Sequence, residues 1–162
     1  MFFGLDLRNQ KGLSLLDVVV AIFIIIVGLV GILSLINHSL GSSSRGKNEI
    51  VASFLAQEGI EMIRLMRSAN ADWADWYNSV NDGNYRVQYS DNYLMSYSDV
   101  PLKVDPNNGL HNYNAGSDSI FHRRINLVKI SSDEIKVISE IKWFYKGQWY
   151  YLVVEDRLWK WQ

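Results

Sequence analysis

At 162 residues the chain has room for one modest domain beside a long helix, and its net charge of -1 excludes a global field that would gather nucleic acid or acidic lipid. It has no cysteine, which excludes disulfides and thiolate metal sites and leaves the redox compartment open. Aromatic residues make up 13 %, with six Trp and nine Tyr, a share that calls for a β-rich domain or an interface.

Residues 1–12 carry Arg8 and Lys11 and show no pattern of an independent fold. From Val18 to Ile36 there are 19 residues with a single polar side chain, Ser34. As a helix rising about 1.5 Å per residue, such a run crosses roughly 30 Å of hydrocarbon. A cleaved secretory signal is the rival, but its apolar core is usually about 7–15 residues with a small-residue cleavage site after it. Here Asn37-His38-Ser39-Leu40-Gly41 is a poor match for that site. Arg45 and Lys47 follow the run as Arg8 and Lys11 precede it, so charge bias alone orients it weakly. Asp17 stands inside the apolar block, behind Leu13, Leu15 and Leu16. A carboxylate there costs roughly 2.5–3.5 kcal/mol on insertion scales. Either it lies at headgroup level and snorkels, or a positive group meets it.

The string Lys11-Gly12-Leu13-Ser14-Leu15-Leu16-Asp17, followed at once by the apolar run, resembles the type IV pilin signature. The resemblance implies that a prepilin peptidase cuts after Gly12 and that the new first residue, Leu13, is N-methylated. It also implies that Asp17, fifth after the cut, makes the filament register contact. Leu13 stands where the family usually has Phe or Met, and Asp17 where it usually has Glu. Independently of the family, a cut after Gly12 would place a positive amine one helical turn from Asp17. That amine can pair with the carboxylate of its own or a neighbouring chain, and burial raises the cost of leaving either charge alone.

Gly28 and Gly31 lie one turn apart in the apolar run, either as ordinary membrane-helix glycines or as points of close approach. Gly41-Ser42-Ser43-Ser44-Arg45-Gly46 breaks the composition, and a weakened but continuing helix is expected there rather than a linker. Apolar residues then recur at three- and four-residue steps, at Ile50/Val51, Phe54/Leu55, Gly59, Met62/Ile63 and Met66. This predicts an amphipathic helix whose stripe, Gly59 included, packs on a sheet. The run Leu55-Ala56-Gln57-Glu58-Gly59-Ile60-Glu61-Met62-Ile63-Arg64 resembles the helix of minor pilins of the PilV-like group.

Between 68 and 119 neither helical nor strand period holds for long. Asp72-Trp73-Ala74-Asp75-Trp76-Tyr77 reads as a short helix or a loop. Tyr85–Tyr89 and Leu102–Val104 read as short strands, with a turn at Asp105–Gly109. The C-terminal part is β. Phe121–Leu127 alternates, Ser131–Glu134 is turn material, and Ile135, Val137, Ile141, Trp143 and Tyr145 share one face. Lys146-Gly147 is a hairpin turn, and Trp149–Val154 is apolar on both faces, which predicts a central or doubly covered strand. Trp159 and Trp161 are expected to finish it. Three such strands form an antiparallel meander.

No catalytic constellation is readable. His38, His111 and His122 are scattered, and the faint calcium-loop pattern at Asp105 lacks its later ligands, so neither a metal nor a cofactor is expected. Trp73, Trp76 and Tyr77, in a polar stretch, are either core and capping groups or a partner contact.

The expectation is therefore an α+β chain, a long N-terminal helix on a C-terminal antiparallel β-sheet. Its parts are a leader (1–12), an apolar transmembrane or filament-core helix (13–40), an amphipathic second half (41–68) and a globular domain (69–162). The resemblance implies a non-enzymatic minor pilin or pseudopilin of a pilus, secretion or competence filament. It would be held first in the cytoplasmic membrane with its domain outside, and then in a filament at the cell surface. Its partners would be prepilin peptidase, other pilin or pseudopilin subunits and the membrane, with no nucleic acid. The alternative is a single-pass anchored binding module with an aromatic ligand surface.

Overall fold

A computed structural model describes residues 15–160; Gly12, Leu13 and Trp161 lie outside the described residues. The chain divides into two compact units, Met1–Ser44 and Arg45–Gln162. A single helix, α1, runs from Leu15 to Ser68. The serine- and glycine-rich stretch at 41–46 does not interrupt it, because it contains no proline and the hydroxyls of Ser42, Ser43 and Ser44 face water. Arg45 and Glu49, four residues apart, pair at 3.0 Å just beyond it.

A short helix α2 (Trp73–Ser79) follows, capped by the Asp72 carboxylate, which accepts the Ala74 N–H at 2.9 Å. Strands β1 (Gly83–Arg86), β2 (Met95–Ser96), β6 (Phe121–Ser131), β7 (Glu134–Tyr145) and β8 (Gln148–Trp159) make one sheet in the order β2-β1-β6-β7-β8. All its neighbours run antiparallel. Between β2 and β6, strands β3 (Lys103–Val104), β4 (His111–Asn112) and β5 (Ser117–Asp118) form a small second sheet, β4-β3-β5. The expected α+β architecture and the β6-β7-β8 meander are both present.

The face that α1 turns to the sheet includes Leu55, Gly59, Met62 and Ile63 of the expected stripe but not Ile50 or Phe54. Ala52, Leu55, Ala56, Gly59, Ile60, Met62 and Ile63 are buried, while Ile50 and Phe54 are 59 % and 67 % exposed. The physical reason is size. Ala52, Ala56 and Gly59 form a row at helical spacing that lets the helix backbone settle close to β6 and β7, whereas the larger Ile50 and Phe54 point away. An ideal Cβ on Gly59 would stand 2.7 Å from Ile125 Cδ1 and 2.8 Å from Ser139 Oγ. Gly59 thus faces the sheet as the stripe required.

Strand β8 also departs from its expected place. It is not central or doubly covered but the edge of the sheet. Tyr150, Leu152 and Val154 are half-buried toward the core, and Trp149, Tyr151 and Val153 remain 46 %, 60 % and 57 % exposed on the other face. Apolar composition on both faces is real, but within the described chain only one face is covered. The β7–β8 turn matches its expectation. Lys146 (φ 47°) and Gly147 (φ 84°) both occupy the left-handed region, as a type I′ hairpin turn requires.

Two contiguous clusters form the core. One joins Ile60 and Ile63 of α1 to Trp73 and Trp76 of α2 and to Ile125, Leu127, Ile135 and Val137 of the sheet. The other joins Ala52, Leu55 and Ala56 to Leu102, Phe121, Ile141 and Trp143.

Candidate functional site: the apolar helix and the faces of the globular unit

The first unit offers one feature. Asp17 lies in the first turn of α1, where a carboxylate complements the helix dipole, and an apolar wall follows it. From Leu15 to Ile36 every large apolar side chain is exposed, from 47 % at Val20 to 84 % at Leu15. An ideal Cβ on Gly28 or Gly31 would meet no atom within 4 Å, so nothing in the described chain requires glycine at either position. The helix is long and apolar enough to cross a membrane, and none of its most apolar window is buried. It is compatible with a single-pass anchor. Residues Gly12 and Leu13 lie outside the described residues.

In the second unit the three aromatics singled out from sequence separate. Trp73 and Trp76 are 4 % and 2 % exposed and belong to the core. Their indoles lie 5.5 Å apart, and Trp73 Nε1 donates to the Ser132 carbonyl at 2.7 Å, fastening α2 to the β6–β7 turn. Of the two expected alternatives, core and capping groups or a partner contact, burial places these two in the core. The polar neighbours that made them look exposed are the cap Asp72 and the outward Asp75. Tyr77 is half-buried, with the Lys129 ammonium 4.2 Å from its ring centre.

Sequence reasoning missed a polar cluster on the outer face of the sheet. Asp99 accepts Lys142 Nζ at 2.5 Å and the Tyr97 hydroxyl at 3.1 Å, and its other contact is His122 Nδ1 at 2.9 Å. The lysine hydrogen bond, with those from Tyr97 and His122, holds the Asp99 carboxyl below its ordinary range. Burial, with the Asp99 charge beside it, pushes the Tyr97 hydroxyl up to about 12. Trp149 adjoins this cluster. Lys142 Nζ lies 5.1 Å from its ring centre, His122 meets it edge-on at 5.9 Å, and Phe144 packs at 5.3 Å. The alternation of β6 and β7 places His122 and Lys142 directly opposite each other, which was readable; the reach of Asp99 from the 97–100 segment was not. Among the described residues no group of three or more His, Cys, Asp or Glu could hold a metal ion.

Comparison with protein-family models, with curated proteins and with solved structures finds no match for the chain. The fold itself therefore defines the class: an α+β chain in which one long helix carries an exposed apolar segment and packs, through its second half, on an antiparallel sheet.

Proposed function

We propose that the chain is a structural subunit of a type IV pilin-like filament, a minor pilin or pseudopilin. Residues 1–12 act as a leader that prepilin peptidase removes after Gly12, and Leu13 becomes the N-methylated first residue. The observation that carries this reading is the wholly exposed apolar face from Leu15 to Ile36, headed by Asp17 and continuous with a helix that packs on a sheet. An apolar surface of this extent has to be covered by lipid or by other helices. Lipid covers it in the precursor and neighbouring subunits cover it in the filament. Gly28 and Gly31, which no neighbour in the described chain crowds, suit close approach by another helix.

A membrane anchor alone would account for the apolar run but not for Asp17 at its head together with Lys11-Gly12 just before it. An anchored binding module could not use Trp73 and Trp76 as its ligand surface, since both are core residues. The test is the mass of the N-terminal peptide of protein extracted from the membranes of the cells that make it. A peptide beginning at N-methylated Leu13 is expected; an intact Met1 would overturn the reading.

A further inference from the structure

We infer that the groove between the C-terminal end of α1, α2 and the 85–94 segment is a binding site for an uncharged oligosaccharide. It lies wholly within the Arg45–Gln162 unit and does not depend on the filament reading. Its volume is about 860 Å³, within the usual range for small-ligand sites. Part of its lining is core: Met62, Trp76 and Val80 are 8 %, 2 % and 7 % exposed. Its rim is aromatic, with Tyr89 and Tyr93 44 % and 64 % exposed beside Tyr85.

The polar groups set the ligand's charge. Among the described residues no Lys, Arg or His lines the groove, so none of them there neutralises a phosphate, sulfate or carboxylate. Asp91, the one lining carboxylate among the described residues, accepts the Gln88 N–H at 3.0 Å, and the Tyr85 hydroxyl donates to the Asn81 carbonyl at 2.9 Å. The hydroxyls of Tyr89 and Tyr93 and the Asn92 amide belong to exposed lining residues and make no hydrogen bond within the described residues. Aromatic faces flanked by amides and hydroxyls match a pyranose, which offers an apolar C–H face and a rim of neutral donors and acceptors. A peptide would instead seek an open strand ladder, and the edge strand at that end of the sheet, β2, has only two residues.

The test uses full-length protein in lipid nanodiscs, titrated with chitohexaose, cellohexaose and maltohexaose and followed by tryptophan fluorescence and saturation-transfer NMR. A sulfated heparin hexasaccharide and an unstructured peptide serve as comparators. Saturable binding of at least one uncharged hexasaccharide is expected. Tyr93→Ala should weaken it about ten-fold, the ordinary loss for one aromatic anchor. Tyr93→Trp, which keeps a ring, should retain it, and neither change should move the melting temperature. No saturable binding of any of the three, binding unaffected by Tyr93→Ala, or preference for the sulfated sugar or the peptide would each overturn the inference.

Discussion

The Arg123 guanidinium, fully buried between helix and sheet, lies 3.2 Å from the carboxylate of Glu58 on α1. It also donates to the carbonyls of Leu55 at 3.1 Å and Val87 at 2.5 Å, so a single side chain ties α1, the segment after β1, and β6 together. Removing one partner of such a pair strands the other, and the two removals are unequal. Glu58 keeps about a third of its side chain in water (32 %) and can be resolvated, whereas Arg123 has no exposed surface. Glu58→Leu should therefore cost about 3–5 kcal/mol, more than Arg123→Met. The double variant should be more stable than Glu58→Leu alone. Denaturant unfolding of the Arg45–Gln162 unit reads all three, and additive losses would show that the two charges are not coupled.

Gly59 tests how closely the helix approaches the sheet. Alanine normally favours a helix interior over glycine by roughly 1 kcal/mol. Here the added Cβ would stand 2.7 Å from Ile125 Cδ1 and 2.8 Å from Ser139 Oγ. Gly59→Ala should lower the melting temperature despite its better propensity, and Gly59→Leu should lose about 1–3 kcal/mol or more through overpacking. A stabilised Gly59→Ala would mean that the helix stands further from β6 and β7.

The β7–β8 turn gives a prediction of the opposite sign. Lys146 and Gly147 are both left-handed, and glycine suits the second position while lysine does not suit the first. Lys146→Asn, which creates the favoured Asn-Gly pair, should stabilise by about 0.5 kcal/mol, and Gly147→Ala should destabilise by about 1 kcal/mol. An ideal Cβ on Gly147 meets no atom within 4 Å, so the second effect is purely conformational. Equal thermal melts for Gly147→Ala and wild type would argue against the type I′ turn.

The Asp99 cluster sets a pH dependence at both ends of the scale. Its carboxyl is held below the ordinary value, so its stabilising share is present above the unfolded carboxyl pKa and is lost as pH falls through the lower folded one. Tyr97 has the reverse sign. Its hydroxyl stays protonated up to about 12 in the folded chain, so stability should fall as pH rises from the ordinary tyrosine value toward 12. Asp99→Asn should flatten the acid limb and bring the Tyr97 transition, followed by ultraviolet absorbance, to lower pH. An unmoved Tyr97 titration would show that its contact with Asp99 is absent in solution.

Much of this fold was legible because its signals are local. The helix announced itself by an unbroken apolar run and then by period; β6 and β7 alternate cleanly, and Lys146-Gly147 marks the hairpin. What sequence could not supply is which surface meets which. The residues of β8 are apolar on both faces whether or not a further strand lies beside it, and only pairing across the sheet makes it an edge. Trp73 and Trp76 sit among polar neighbours, so burial by α1 and the β6–β7 turn was invisible locally. Arg123 did carry a signal that was missed, since its position in β6 shares a face with Phe121, Ile125 and Leu127. An arginine on an apolar face needs a partner, and Glu58 supplies it. The groove had no local signature because its walls come from the end of α1, from α2 and from the 85–94 segment, which lie apart in the sequence.

Asp17 carries the central claim. In an uncut precursor the nearest upstream cation is Lys11, six residues back. On the proposed reading, a cut after Gly12 would create an amine on Leu13, four residues before Asp17 in the sequence, that could pair with the carboxylate of the same or an adjacent subunit and enter a filament core with it. The direct measurement is the amount of Asp17→Ala, Asp17→Glu and wild-type protein in a sheared filament fraction relative to the membrane fraction of the same cells. The expected result is that Asp17→Ala inserts and loses its leader normally yet is largely missing from filaments, while Asp17→Glu is incorporated like wild type. Incorporation of Asp17→Ala equal to wild type, or wild-type protein found only in the membrane, would contradict a filament role for this helix.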